Sequence, residues 1–586
     1  MQRRVLATAL LCAIALAACQ STSTGENAAI APPPPPSPPA PSDEMAVRDQ
    51  YTAGGGQLDQ VVVTGARLRE DASQAVRRHA APAAPARLEY KALSAAPVQA
   101  QPANTEKYAE RSDNPVQRVV EQPVSTFSID VDTGSYSNVR RMIRQGVRPP
   151  ADAVRAEEFI NYFDYGHPGP ASLATPFRAS TELAPAPWNP QRQLLMVGIK
   201  GYDVDKATLP PANLVFLIDT SGSMNSPDKL PLLKQSFAEL TRQLRPQDRV
   251  SIVVYAGSAG LVLPPTSGER KDEILAALDR LQAGGSTNGG DGIRLAYAMA
   301  KRAFVRDGVN RVILATDGDF NVGTVDGGSL ETMVADQRKS GIALTTLGFG
   351  QGNYNDHLAE RLADAGDGNH AYIDTLQEAR KVLVEELSST LLTIAQDVKI
   401  QIEFNPALVA EYRLVGYENR LLAREDFAND KVDAGDIGAG HEVTALYEIT
   451  LVGSGAERLP PLRYGGATTG GNAASGELAH LRLRYKRPGE ATSRLIETPV
   501  LRSALRTRPS ESMQFAATVA AWADALRGGK HLDGWDWTSI ARAARDTQGR
   551  DPWRLRAEFA ELVDASRTLV AAGEAVEPAQ VSAIAR

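Results

Sequence analysis

The chain has very little cysteine and, beyond its first residues, no long hydrophobic run. Of its 586 residues only Cys12 and Cys19 are cysteines. Cys12 lies in an apolar leader that we expect to be removed, so the mature chain keeps one thiol and forms no internal disulfide. These counts exclude a disulfide scaffold, a thiolate zinc site and a cysteine nucleophile. No later stretch approaches the roughly 18 apolar residues of a membrane-spanning helix.

The chain also lacks an excess of basic residues, with 63 Lys and Arg against 70 Asp and Glu. Nucleic-acid binders need basic surface to displace counterions from phosphates, so we expect no nucleic-acid partner. Gly348-Phe349-Gly350-Gln351-Gly352 lacks the glycine order of a dinucleotide loop, so no nucleotide is expected either. No serine stands in a G-x-S-x-G elbow. The sequence therefore predicts a protein that is not an enzyme and has no catalytic residue.

The first 19 residues have the pattern of a bacterial lipoprotein signal peptide. Two arginines precede an apolar run, Val5 to Ala15, that is too short to span a membrane. Leu16-Ala17-Ala18-Cys19 resembles a lipobox, which makes Cys19 the predicted lipidation site and the membrane a partner through the lipid anchor. The alternative is an ordinary secretory signal with an incidental cysteine. Gln20 replaces the Asp of an inner-membrane retention signal, which favours the outer membrane, facing the periplasm.

Residues 20–118 are rich in Pro, Ala, Ser and Gly. This composition buries too little apolar surface to offset the entropy of ordering, so we predict a disordered tether. Within it, the segment Leu58 to Arg67 resembles a segment near the start of the plug of TonB-dependent outer-membrane receptors. Its Val61, Val62 and Val63 are candidates for pairing with the sheet edge of a partner. The alternative is a β-prone patch that arose by chance.

Between residues 206 and 394, apolar strands alternate with amphipathic helices. This pattern predicts an α/β fold in which a parallel sheet is covered by helices on both faces. The predicted strands are Leu214–Ile218, Val250–Tyr255, Val312–Thr316 and Ala343–Phe349. The predicted helices are Leu230–Leu244, Ile274–Leu281, Gly292–Ala303, Leu330–Ser340, His357–Ala365 and a closing helix, Val382–Ile394.

β-rich segments flank this region on both sides. Residues 119–205 contain alternating runs and one short helix, Asp152 to Phe163, and residues 395–490 have the period-two pattern of a small antiparallel sandwich. We expect the two segments to pack together as a body that supports the inserted domain. Residues 491–586 are predicted to be helical. The predicted helices are Ser512–Leu526 and Trp553–Leu569, with Trp522, Trp535, Trp537 and Trp553 packed between them.

One polar motif directly follows the first strand of the α/β region. Asp219-Thr220-Ser221-Gly222-Ser223 places a carboxylate and two hydroxyls at alternate positions. They stand at the carboxyl end of a parallel strand, where open α/β sheets bind ligands. Oxygen donors alone favour a hard cation such as Mg²⁺. The alternative is a helix cap in which either serine binds backbone amides.

This D-x-S-x-S motif resembles that of the von Willebrand factor type A (VWA) family, which carries a metal-ion-dependent adhesion site. The resemblance implies a Rossmann-like domain in which two later loops supply a Thr and an Asp. Thr287 in the loop 284–288 and Asp317 in the loop 315–318 match these positions. In the second loop the chain departs from the commonest family form. Asp291, which follows, is expected to cap the next helix or to lie behind the metal ligands.

The resemblance thus implies a metal site that binds Mg²⁺ (or Mn²⁺ or Ca²⁺). Two carboxylates balance the charge of the ion while its hydroxyl ligands are neutral, so an open position remains for an acidic side chain of a protein partner. The implied ligands are Asp219, Ser221, Ser223, Thr287 and Asp317.

Three further segments, at residues 124–136, 157–163 and 433–441, resemble a bacterial lipoprotein subfamily often labelled calcium-activated chloride channel homologue. No predicted membrane span supports ion conduction. Asp130 and Asp132 begin a Ca²⁺-loop pattern that is not completed, so we predict a polar turn there. The sequence therefore favours an envelope-anchored binding protein. The alternative is an assembly or scaffold factor of an outer-membrane complex, engaged through the segment around Val61–Val63.

Overall fold

The computed structural model describes residues 106–110, 112–286, 289–318, 327–352, 354–460, 462 and 476–583, with side chains described as far as residue 571. The predicted signal peptide with Cys19, the Val61–Val63 segment and Thr287 lie outside the described residues. No helix in the described part of the chain is long and apolar enough to cross a membrane.

In the described chain before the α/β region, two strands are followed by two α-helices and then by two more strands. The strands are β1 (Gln117–Arg118), β2 (Val124–Ser128), β3 (Phe177–Ala186) and β4 (Asn189–Gly201); the helices are α1 (Gly134–Arg144) and α2 (Ala156–Asn161).

The α/β domain follows. Its strands are β5 (Ala212–Asp219), β6 (Arg249–Tyr255), β7 (Ala259–Ser267), β8 (Val309–Thr316), β9 (Ala343–Phe349) and β10 (His370–Ile373). Its helices are α3 (Leu230–Gln243), α4 (Lys271–Asp279), α5 (Gly289–Arg302), α6 (Gly327–Arg338), α7 (Asp356–Ala365), α8 (Leu376–Arg380) and α9 (Leu387–Leu391).

The remaining elements are the strands β11 (Thr393–Phe404), β12 (Val409–Val415), β13 (Ile437–Gly438), β14 (Glu442–Leu451), β15 (Glu477–Lys486) and β16 (Arg494–Leu501), and the helices α10 (Glu511–Leu526), α11 (Trp537–Asp546) and α12 (Leu555–Ala583).

The six strands of the α/β domain form one sheet in the order β10-β9-β8-β5-β6-β7. All neighbours are parallel except β6 and β7, so the predicted parallel sheet is confirmed with an antiparallel edge strand added. Alternate residues of β5 enter opposite cores because side chains alternate across a strand. Phe216 stacks on Phe237 of α3, whereas Val215 lies in the core with Ile293 of α5. Helices on both faces therefore bury every residue of β5.

The two flanking segments share their sheets. β4 pairs with β14 from Arg192 to Lys200, and β2 pairs with β11. The resulting sheets, β1-β12-β14-β4-β3 and β13-β11-β15-β16 with β2 beside β11, enclose one hydrophobic core. The prediction that the segments pack together is confirmed. However, the sandwich is built from both segments jointly, because strands far apart in sequence are neighbours in each sheet.

Several local predictions were wrong. Residues 106–118 are not part of the tether: buried Asn114 donates to the carbonyls of Leu414 and Gly416, and β1 joins a sheet. The closing helix is instead α8, a π-helical turn and α9, and strand β11 begins at Thr393. β16 lies in the region predicted to be helical. Trp553 is 57% exposed, whereas Trp522 is fully buried and contacts Tyr136 and Phe159.

Three arginines of the body join it to the α/β domain; Arg140 and Arg155 are buried, and the side chain of Arg420 is 12% exposed. Arg140 of α1 pairs with Glu378 at 2.7 Å and with Asp374. Arg155, just before α2, pairs with Asp356 at the start of α7. Arg420, after β12, pairs with Asp364 at 2.7 Å and lies 3.6 Å from Glu360. We call this contact, made by the three arginines and their carboxylate partners, the arginine interface.

Asp130 and Asp132 belong to the same interface. Each lies 3.3 Å from Arg420, and Asp132 also accepts a hydrogen bond from the backbone N–H of His370. Both aspartates are buried. The segment predicted as a polar turn is therefore an internal contact between the body and β10.

Candidate metal site

The first loop begins where β5 ends, at the carboxyl edge of the sheet. Asp219 is fully buried there, and its Oδ1 accepts a hydrogen bond of 2.8 Å from the backbone N–H of Ser221. The backbone N–H of Thr220 is held by the carbonyl of Tyr255 at the end of β6. The chain then enters a single 3-10 turn, Gly222–Asn225. These bonds fix the Asp219 carboxylate beneath the turn that carries the serines.

The two serine hydroxyls of the motif meet. The Oγ atoms of Ser221 and Ser223 are 3.0 Å apart, with Ser221 buried and Ser223 exposed. The helix-cap alternative predicts that one serine binds backbone amides, but neither side chain caps the 3-10 turn or α3. The arrangement is a short path of oxygen atoms from solvent at Ser223 to the buried Asp219.

The second loop is fastened to the first by its backbone. Gly222 donates to the carbonyl of Gly285 at 3.0 Å, and Gly284 donates to the carbonyl of Thr220 at 2.8 Å. Thr287 is two residues further on and outside the described residues, so its place as a ligand remains a prediction. Asp291 lies exposed in the first turn of α5 and pairs with Arg294.

The third loop supplies Asp317, which is fully buried directly after β8. Its neighbour Thr316 has its hydroxyl 3.4 Å from Oδ2 of Asp219, so the two loops are in contact. Gly318 has a positive φ of 86°, and a Cβ there would overlap the backbone of Asn355. Only glycine fits at this position, and the loop that follows β9 packs against the residue next to Asp317.

A lysine that the sequence did not indicate also lies at this site. Nζ of Lys229, the residue before α3, lies 2.9 Å from Oδ2 of Asp317, and both side chains are buried. Nothing in the local sequence marks Lys229, since its role depends on a loop nearly ninety residues later. We refer to Asp219, Ser221, Ser223, Asp317 and Lys229 together as the crevice.

Burial is the main electrostatic influence on Asp219. It raises the pKa of this carboxyl to about 6, and the nearby charge of Asp317 acts in the same direction. Hydrogen bonds from Ser221 act in the opposite direction and lower the pKa. A cation placed beside Asp219 would favour its ionised form. The crevice therefore contains too little positive charge to balance its two carboxylates.

The donor set fits a hard divalent cation. Within the described ranges, no three His, Cys, Asp or Glu side chains are grouped to hold a metal ion. An ion here would depend on hydroxyl oxygens as well as carboxylates. Mg²⁺ accepts such ligands and commonly retains waters in its shell, whereas zinc prefers nitrogen and sulfur donors. The residues present thus suit Mg²⁺, with the buried Asp219 and Ser221 and the exposed Ser223 as oxygen ligands from the first loop.

The fold and this edge of the sheet define a class of protein. Residues 213–386 match the family model described as von Willebrand factor type A domain, so the chain contains a VWA domain. Residues 102–196 match a model described as von Willebrand factor, and residues 389–569 match one described as Uncharacterized protein YfbK, C-terminal. YfbK of Escherichia coli strain K12 is 51% identical over 469 residues, which are 78% of this chain and 81% of that protein. The chain belongs to the YfbK family of VWA-domain proteins.

More distant similarities involve the same domain. The Synechocystis protein sll0103 is 26% identical over 56% of this chain and 75% of its own length. PTMP1 from the mussel byssus, solved with a zinc-occupied adhesion motif, is 22% identical over 32% of this chain and 46% of that chain, with a TM-score of 0.26. VWA domains mediate protein–protein interactions, often through a divalent cation at the adhesion site.

Proposed function

We propose that this protein is an envelope-anchored binding protein that captures an acidic group of a protein partner through a divalent cation. Asp219, Ser221, Ser223, Thr287 and Asp317 would hold the cation, with Mg²⁺ the favoured ion and Mn²⁺ or Ca²⁺ as substitutes. When bound, the cation supplies an electrophilic position that a carboxylate of the partner fills. The protein's own residues orient the ion and keep the base of the crevice free of water. None of these five residues is proposed to carry out a covalent reaction, so we propose no enzymatic activity.

The observation that carries this proposal is the path of oxygens in the crevice. Ser221 and Ser223 lie 3.0 Å apart above a buried carboxylate, at the carboxyl edge of a parallel sheet. Edges of this kind bind ligands because strand ends and loops leave polar groups there. Since Ser223 is exposed, a ligand reaches the crevice from solvent without a change in the fold.

A groove beside the crevice gives a partner chain room to dock. It has a volume of about 830 Å³ and begins at Met224, next to Ser223. One wall is α3, with Lys234 and Arg242, and the other is the segment after α4 around Leu281. A peptide that places an acidic side chain at Ser223 therefore finds further surface for its neighbouring residues.

The proposal also includes a lipid anchor at the predicted lipidation site. A lipid on Cys19 and the long segment before residue 106 would hold the VWA domain near the inner face of the outer membrane while allowing it to reach partners. The lipobox-like sequence Leu16-Ala17-Ala18-Cys19 supports this location. In this arrangement the Val61–Val63 segment is secondary to the metal site.

The test is a metal-dependent capture from envelope extracts with the full-length protein as bait. We expect a partner to be retained in Mg²⁺, released by chelator and regained when Mg²⁺ is restored. Asp219→Asn removes a charge from the crevice and should abolish capture. Asp228→Asn is the matched control, because Asp228 lies near the same turn and its carboxylate accepts a hydrogen bond from the hydroxyl of Ser226; it should capture normally.

Equal capture by wild type and Asp219→Asn would contradict the proposal. If that capture is also insensitive to chelator and disappears when Val61–Val63 are replaced, the scaffold alternative is the better account.

A further inference from the structure

The crevice contains a cation of its own. Lys229 places its ammonium 2.9 Å from Asp317, one of the two carboxylates that would hold the metal. We infer that Lys229 is an internal counter-charge that competes with the divalent cation for Asp317, and so keeps metal binding weak and reversible. This inference rests on the proposed function of the crevice and names a residue that sets its affinity.

The position of Lys229 is built into the fold. Its backbone N–H donates to the carbonyl of Ser226, and its own carbonyl accepts from Leu233 in the first turn of α3. The residue is only 6% exposed. The helix start therefore fixes where the side chain leaves the backbone, and burial leaves it little freedom to point elsewhere.

Gly350 provides the space through which the Lys229 side chain passes. A Cβ on Gly350 would overlap the Cγ, Cδ and Cε atoms of Lys229, and the positive φ of 72° at Gly350 also disfavours other residues. Two independent constraints thus keep this position as glycine. The loop after β9, which the sequence shows only as glycine-rich, forms the wall of a channel for the lysine.

The charge balance shows what Lys229 changes. Asp219 and Asp317 supply two negative charges when ionised, and Lys229 reduces their sum to a single negative charge. A divalent cation then leaves one positive charge in excess. That excess opposes binding of the metal but attracts the carboxylate of a partner. Without Lys229, the metal would be fully balanced by the protein and would gain less from an acidic ligand.

The experiment is calorimetric titration of the full-length protein with Mg²⁺, without any partner. Lys229→Met keeps most of the aliphatic length and removes the charge, and we expect it to bind Mg²⁺ on the order of tenfold more tightly than wild type. Lys234→Met is the control. Lys234 lies on the same helix, but its Nζ bonds to the backbone carbonyls of Asp279 and Leu281, so Mg²⁺ affinity should stay within about twofold of wild type.

A second variant guards against loss of folding. Lys229→Gln keeps a hydrogen-bond donor for Asp317 but no charge, and it should also bind Mg²⁺ more tightly. Thermal unfolding in chelator identifies which variants are folded. In the same metal-free samples, the effects of Lys229→Met and Asp317→Asn on the melting temperature should be strongly non-additive, because each removes one member of a buried pair.

The outcomes separate this inference from the proposed function. If wild type binds Mg²⁺ and the folded Lys229 variants bind it equally or more weakly, the counter-charge role is overturned and the metal site stands. If only the Lys229 variants bind Mg²⁺, the inference is supported, and Lys229 prevents metal binding in wild type. If neither wild type nor the variants bind, both the inference and the metal site are overturned.

Discussion

The crevice and the arginine interface both gather carboxylates below the surface, but they balance charge differently. At the interface each arginine contacts at least two carboxylates, and Arg420 lies within 3.6 Å of Asp130, Asp132, Glu360 and Asp364. In the crevice Lys229 contacts Asp317, while Asp219 accepts hydrogen bonds from two neutral donors, the backbone N–H of Ser221 and the hydroxyl of Thr316. The charges that join the body to the α/β domain are paired by guanidinium groups, whereas the charges of the crevice, where we propose that a cation binds, are left partly unbalanced.

The difference follows from the chemistry of the two cations. Guanidinium offers five donors in a fixed plane and is always charged, so it suits permanent contacts between buried carboxylates. The lysine ammonium is a compact point charge on a flexible stem, which a second cation can displace. We therefore expect substitutions in the arginine interface to change the stability of the protein, and substitutions in the crevice to change its affinity for a ligand.

The largest effect on stability is expected from Arg420→Met. It leaves several buried carboxylates without their shared partner, and removing one member of a buried ion pair typically costs about 3–5 kcal/mol. Chemical unfolding followed by fluorescence measures the change. Arg424→Met is the control, because Arg424 is exposed on a turn of the same connection, and it should change stability by less than about 0.5 kcal/mol. A small loss of unfolding free energy with Arg420→Met would show that the stability of the arginine interface does not depend on its charges.

An effect of opposite sign is expected at Glu157 of α2. Both of its carboxylate oxygens are buried without a hydrogen-bond partner, close to Gly416. Burial, followed by the charge of Glu418, raises the pKa of Glu157 to about 8. Since the folded state binds this proton more tightly than the unfolded chain, its contribution to stability is complete below the ordinary pKa of 4.5 and is lost as pH rises to about 8.

Glu157→Gln removes this ionisation. Compared with wild type, the variant should be more stable by a few kcal/mol at pH 8, and the difference should disappear as the pH falls below about 4.5. Melting temperatures across this range provide the measurement, with Glu425→Gln as an exposed control. Parallel curves for wild type and Glu157→Gln would contradict this account, because they would show that Glu157 is not an unpaired buried acid.

The sequence predicted the α/β domain well because its signals are local. Apolar runs marked β5, β6, β8 and β9, and the spacing of the motif after β5 located Asp219, Ser221 and Ser223. β7 and β10 were missed. β7 contains two prolines and is only partly buried, and β10 is only four residues long, so neither has a clear apolar pattern.

The body and the crevice lysine were less predictable because their partners are distant in sequence. β4 and β14 pair across more than two hundred intervening residues, and no periodicity in either strand shows that pairing. Asp130 and Asp132 look like turn residues until Arg420 is placed beside them. Lys229 similarly acquires its role only when the loops after β8 and β9 close around it.

The central claim is that the crevice binds a divalent cation, and Mg²⁺ titration of wild type against Asp219→Asn tests it most directly. Burial disfavours the charge of Asp219, so the metal-free variant should be at least as stable as wild type at neutral pH and should stay folded. The account predicts one Mg²⁺ site per chain in wild type and in the Asp228→Asn control, and none in Asp219→Asn. Equal Mg²⁺ affinity in wild type and folded Asp219→Asn would contradict it.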